Sequence, residues 1–152
     1  MRGGEFGTPE ESGSFSDVER AAMAQRAAEV KSGRGVKGAA KRARERDACA
    51  AAIAALDGAD RAIAEVLDVI VAAEAPHLNP RTWYGFPSYA RGDAVVVFYQ
   101  PASKFGTRYG TVGFSEDAAL DDGVMWPTSF AVTAVSAKVE ERLRALVRAA
   151  AG

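Results

Sequence analysis

Cysteine and histidine are nearly absent from this 152-residue chain, each occurring once, as Cys49 and His77. A single cysteine excludes an intrachain disulfide and a cysteine-built zinc cage. A single histidine leaves Ser–His–Asp or Cys–His chemistry dependent on His77, and no serine lies in a nucleophile elbow. Long apolar runs are also missing. None approaches the roughly 18–20 residues that span a bilayer, and the N-terminus lacks an apolar signal core. No membrane partner is expected, and a reducing cytoplasm is the expected compartment. Charge of one sign is missing too. The formal net charge is −1, and a protein built to neutralise many phosphates carries a basic excess, so a nucleic-acid partner is not expected. There is no Walker loop, and Gly33-Arg34-Gly35 lacks the preceding strand and third glycine of a dinucleotide fingerprint. Nothing marks a cleft for a carboxylate acid–base pair. The chain reads as a binding protein and not as an enzyme.

Hydrophobic residues make up 48% of the sequence, enough for one folded domain with an appendage. Residues 1–14 are glycine-rich and read as a disordered tail, and Glu5-Phe6-Gly7-Thr8 matches what two adjacent cloning sites would encode. Ser16 followed by Glu19 forms a capping box, with Phe15 as its hydrophobic staple. The helix it starts runs to about residue 31 on a thin stripe of alanines with Val18, Met23 and Val30. A basic, glycine-broken linker leads into an alanine-rich helix over residues 39–56, which carries Lys41, Arg42, Arg44 and Arg46. These charges form either an arm for an acidic partner or a solvated helix face; no aromatic residue interleaves with them for base stacking. Residues 15–56 are thus a helical extension, and 57–152 the main domain.

That domain opens with Asp57 and Asp60 as N-cap candidates. Ile63, Val66, Leu67, Ile70 and Val71 then repeat at the spacing of a core-facing helix that Pro76 stops. His77 at the helix end is placed to bond terminal carbonyls or to serve as a metal ligand. From residue 82 the texture becomes extended: aromatic residues 83–90, the apolar run 94–99, residues 107–114 with Gly110 and Gly113 as bulge or close-approach positions, and a further strand near 125–132. Ser136 caps a last amphipathic helix that uses Val139, Leu143, Leu146 and Val147. Short connections favour antiparallel neighbours. The expected fold is α+β, a two-layer sandwich of a three- to five-stranded antiparallel sheet with helices on one face, plus an N-terminal helical extension.

The runs Trp83-Tyr84-Gly85-Phe86-Pro87-Ser88-Tyr89, Phe98-Tyr99-Gln100, Lys104-Phe105-Gly106-Thr107-Arg108-Tyr109, Gly113-Phe114-Ser115, Leu120-Asp121-Asp122-Gly123 and Met125-Trp126-Pro127-Thr128 follow one another in this order. In that arrangement residues 57–150 resemble the YdhG-like family. The resemblance implies a fold akin to the YjbR/CyaY and frataxin-like group and, from relatives described as iron chaperones, a role in holding Fe²⁺ weakly and passing it to a protein acceptor.

Three residue sets are candidates for function. Glu116, Asp117, Asp121 and Asp122 place four carboxylates within seven residues, suited to weak, exchangeable binding of a hard or borderline cation such as Fe²⁺. The plain alternative is a solvated turn. Asp57, Asp60, Glu65 and Asp68 form a second acidic patch, with Arg61 among them to compensate it. Trp83, Tyr84, Tyr89, Lys104, Phe105, Arg108, Tyr109 and Trp126 supply aromatic walls and two cations for a small anionic ligand, or else pack the core and pair with Asp121 or Asp122. Cys49 reads as a small apolar residue. The expected function is iron binding and delivery through exposed carboxylates. The alternatives are an anionic-ligand module and an interaction domain, with the N-terminal helices docking another protein or forming a homodimer.

Overall fold

The computed structural model describes residues 15–32 and 38–152; the tail assigned to residues 1–14 and most of the basic linker lie outside the described residues. Helix α1 (Asp17–Ser32) precedes α2 (Gly38–Ala54) and α3 (Gly58–Glu74). Strands β1 (Asn79–Trp83), β2 (Phe86–Arg91) and β3 (Ala94–Gln100) follow. The one-turn helix α4 (Ala102–Phe105) leads to β4 (Gly110–Phe114), then β5 (Ser129–Val132) and α5 (Ala137–Ala151). The sheet order is β1-β2-β3-β4-β5, every neighbour antiparallel. This is the expected α+β class with its N-terminal helical segment. Among the described residues, no helix is long and apolar enough to cross a membrane.

The helices form where their caps and stripes direct. At α1 the Ser16 N–H donates to Glu19 Oε1 at 2.9 Å and the Glu19 N–H to Ser16 Oγ at 3.1 Å, the reciprocal capping box. In α3 the stripe buries Ile63, Leu67, Ile70 and Val71. At α5 the Val139 N–H donates to Ser136 Oγ at 3.2 Å, and the helix turns Leu143, Val147 and Ala150 inward. Helices α3 and α5 are strapped together by Glu74, which accepts from Arg148 Nε at 2.9 Å and Arg144 Nη1 at 3.4 Å. His77 Nε2 lies 3.3 Å from the Ala151 carbonyl oxygen, so its helix-end partner belongs to α5 and not to its own helix.

Alternation along the strands sorts the sheet into two faces. Tyr89, Val97 and Phe114 align across three strands, and Tyr99 and Val112 across two. All are buried in the main core with α3 and α5. Residues 83–90, expected as one extended run, fold instead into the β1–β2 hairpin. Tyr84 and Gly85 take φ of 54° and 83°, and positive φ at both central residues matches strand twist in a two-residue turn. Glycine adopts such a φ freely, whereas tyrosine pays about 1–2 kcal/mol for it. Gly110 and Gly113 are close-approach positions: a Cβ at Gly110 would meet the Tyr99 ring, and one at Gly113 the Phe98 ring.

Candidate functional site

The second face of the sheet is aromatic. Trp83 pairs with Phe86 across the hairpin, and Phe98 lies beside both, with ring centroids 5.4 Å from Trp83 and 5.6 Å from Phe86. Tyr84 stands 5.1 Å from Trp83, and Phe105 of α4 closes the row 5.9 Å from Phe86. These spacings are those of edge-to-face and offset rings. Helix α1 crosses above them, and a cleft of about 400 Å³ remains between, walled on the helix side by Phe15, Ala22 and Met23. Glu19 and Gln100 are its polar lining residues. Volume and lining match those of small-molecule sites, apolar with few polar groups.

The lid over this cleft is lightly held. Of α1's side chains Ala22 alone is described as buried, while Met23 and Val30 are each 45% exposed. Polar contacts that tie the helix down include the Gly85 N–H donating to Glu29 Oε2 at 3.0 Å and Lys104 Nζ donating to Gln25 Oε1. Burial pulls the Lys104 ammonium below its ordinary pKa, and the charge of Glu29 offsets part of that pull. Tyr84 sits at the same edge in its unfavourable left-handed conformation, its ring held against Trp83 and Phe86.

Of the aromatic and basic set, Trp83, Tyr84 and Phe105 line the cleft and Lys104 adjoins it. Arg108 lies over the Tyr109 ring at 5.3 Å, both residues being exposed. Tyr89 faces the main core. Trp126 lines a separate hollow of about 490 Å³ with Phe114, Met125, Glu116 and Asp121. Asp117 and Asp122 are exposed and are not among the residues lining that hollow. In the second acidic patch, Asp57 occupies the N-cap of α3 without a side-chain cap bond, Glu65 pairs with Arg61 at 3.1 Å, and Asp68 accepts from Tyr89 Oη at 2.8 Å. Asp60 is buried and serves elsewhere: it accepts from Tyr99 Oη at 2.5 Å and from the Ala102 and Ser103 N–H groups, each at 2.9 Å. Among the described residues, no three His, Cys, Asp or Glu side chains gather as a metal-holding group.

Seven lining residues outside the sequence candidates complete the cleft: Phe15, Glu19, Ala22, Met23, Phe86, Phe98 and Gln100. Strand alternation puts Phe98 opposite Val97 and Tyr99, which hinted at its face; nothing local showed that α1 would cover it.

These features define a class: an α+β protein whose antiparallel meander carries a core on one face and an aromatic cleft, roofed by an N-terminal helix, on the other. Set against known proteins, the chain matches no family model, no curated protein and no solved structure.

Proposed function

We propose that this protein is a binding module for a flat aromatic molecule bearing an acidic group. The observation that carries this reading is the cleft itself, in which Trp83, Tyr84, Phe86, Phe98 and Phe105 face one helix across about 400 Å³. The rings receive the apolar body; Lys104, bonded to Gln25 of the lid beside the cleft, supplies the positive charge for the anionic substituent against the Glu19 carboxylate of the lining. Removing roughly 200 Å² of ligand ring surface from water contributes about 5 kcal/mol before association costs. Two ring–ring contacts add about 1 kcal/mol each. These contributions sum to about 7 kcal/mol, which caps the affinity at about 10 μM, and association costs weaken it from there.

The test uses 1-anilinonaphthalene-8-sulfonate, an aromatic anion, as probe. Saturable one-to-one binding, weakened about tenfold by Met23→Glu on the exposed lid, is expected. Non-saturating fluorescence, or the same affinity in the Met23→Glu variant, refutes the reading.

Iron delivery, the role implied by the YdhG-like resemblance, is the second reading. It is favoured by one observation, that Glu116 and Asp121 line the same hollow. Anaerobic calorimetric titration with Fe²⁺ tests it: binding lost in Glu116→Gln/Asp121→Asn supports it, and heats no larger than dilution reject it.

A further inference from the structure

A third cavity lies on the core side of the molecule, between α2, α3 and the start of β1. It measures about 310 Å³, at the lower end of the roughly 300–1,000 Å³ typical of small-molecule sites. Its lining includes Cys49 and Tyr89, 1% and 0% exposed, with Val71 and Leu78 as apolar wall. Two side chains of opposite charge also line it: Asp68 from α3 and Arg46 from α2.

These two charges share the cavity without forming an ion pair. Tyr89 Oη donates to Asp68 Oδ1 at 2.8 Å, which orients the carboxylate; among the described residues nothing donates to Oδ2. Arg46 is exposed, on the solvent side of the cavity, and among the described residues has no carboxylate within ion-pair distance. A ligand of single charge is poorly served here. An anion drawn to Arg46 meets Asp68, and a cation drawn to Asp68 meets Arg46, so either one alone is discriminated against. A compact ligand carrying both charges satisfies both groups, and the small volume and apolar wall limit what else it carries. We infer that this cavity binds the zwitterion of an aliphatic α-amino acid, with its ammonium on Asp68, its carboxylate on Arg46 and its side chain against Val71 and Leu78.

The site is independent of the aromatic cleft. Among the basic residues of α2, Lys41 pairs with Asp93 at 3.2 Å, and Arg46 thereby gains a specific task of its own.

The experiment is calorimetric titration of the full chain with L-leucine, beside 4-methylpentanoate, which lacks the ammonium, and 3-methylbutylamine, which lacks the carboxylate. Saturable binding of leucine is expected, with each analogue at least about tenfold weaker because one charged hydrogen bond is lost. Arg46→Met, on an exposed helix position, and Asp68→Asn, which keeps an acceptor for Tyr89, should each weaken leucine by a similar factor. Cys49 supplies a second readout, since occupancy should slow its reaction with methyl methanethiosulfonate in the wild type and not in Arg46→Met. Absence of saturable leucine binding, either analogue binding as tightly as leucine, or unchanged affinity in both variants overturns the proposal.

Discussion

Replacing Asp60 by alanine tests the packing of the whole α3–β3–α4 corner. The carboxylate is 7% exposed and accepts three hydrogen bonds, from Tyr99 Oη, the Ala102 N–H and the Ser103 N–H. Alanine strands these donors unequally. Tyr99 is fully buried and has no route to water, so its hydroxyl bears the desolvation penalty of an unmet donor, about 1–3 kcal/mol. The Ala102 N–H is half-buried and adds about 1 kcal/mol, while exposed Ser103 recovers water. The sum is about 2–4 kcal/mol. With a urea m-value near 2 kcal/mol/M for a chain of this size, the midpoint should fall by roughly 1–2 M at unchanged m. Repeating the substitution in a Tyr99→Phe background should recover about 1–2 kcal/mol, the coupling expected of neighbours sharing a bond. A midpoint shift below about 0.3 M, or full additivity with Tyr99→Phe, would refute this account. The same group predicts an acid limb. Burial pushes the Asp60 carboxyl up, and the bonds from Ser103, Tyr99 and Ala102 outweigh it, leaving it below its ordinary 3.8. A depressed pKa contributes stability above the unfolded value that is lost as pH falls through the folded one. The wild-type advantage over Asp60→Asn should therefore hold from pH 5 upward and shrink below about pH 4.

Three further outcomes are expected. Burial, reinforced by the nearby Asp68 charge, pushes the Cys49 thiol up to about 11; at pH 8 it should react with iodoacetamide about a hundredfold more slowly than an exposed thiol on thiolate fraction alone, and a rate within threefold would contradict that burial. Tyr84→Asn relieves the left-handed strain and should stabilise the fold by up to about 1 kcal/mol while weakening probe binding in the cleft; destabilisation beyond 1 kcal/mol would mean that the ring's packing outweighs the strain. Gly113→Ala drives a methyl into the Phe98 ring and should cost about 1–3 kcal/mol in urea titration together with loss of probe binding; a neutral variant would show that the ring yields freely.

Local signals carried much of the architecture. Ser16 with Glu19, Ser136 with Val139, and the Ile63–Val71 stripe each act within one or two turns of chain, so sequence spacing alone reveals them. The apolar run of β3 was equally plain. The β1–β2 turn was not, because two-residue hairpins announce themselves with Asn-Gly or Asp-Gly, and here tyrosine occupies the first central position. Asp60 looked like a helix cap, yet its donors lie about forty residues away, beyond any local pattern. The candidate aromatic–basic set mixed four places, since Tyr89 belongs to the main core and Arg108 and Tyr109 to the exposed surface. Trp83, Tyr84 and Phe105 meet because the hairpin and α4 fold onto one side of the sheet, whereas Trp126 sits with Glu116 and Asp121 beyond β4. The roof contributed by α1 was hidden for the opposite reason: its apolar stripe is too thin to say what it covers.

The strand order β1 through β5 has a kinetic meaning. Each strand finds its partner next in sequence, so the sheet assembles without bringing together distant parts of the chain. The longest link between paired strands is residues 115–128, and loop-closure entropy grows only slowly with length. The long closures are instead those of the helices: the Glu74–Arg148 strap between α3 and α5, 74 residues apart in sequence, and the Lys104–Gln25 bond between α4 and α1, 79 apart. Folding should therefore be fast for a protein with a five-stranded sheet, on a scale nearer milliseconds than seconds. Substitutions at the strap should speed unfolding more than they slow folding, the behaviour of contacts made after the rate-limiting barrier.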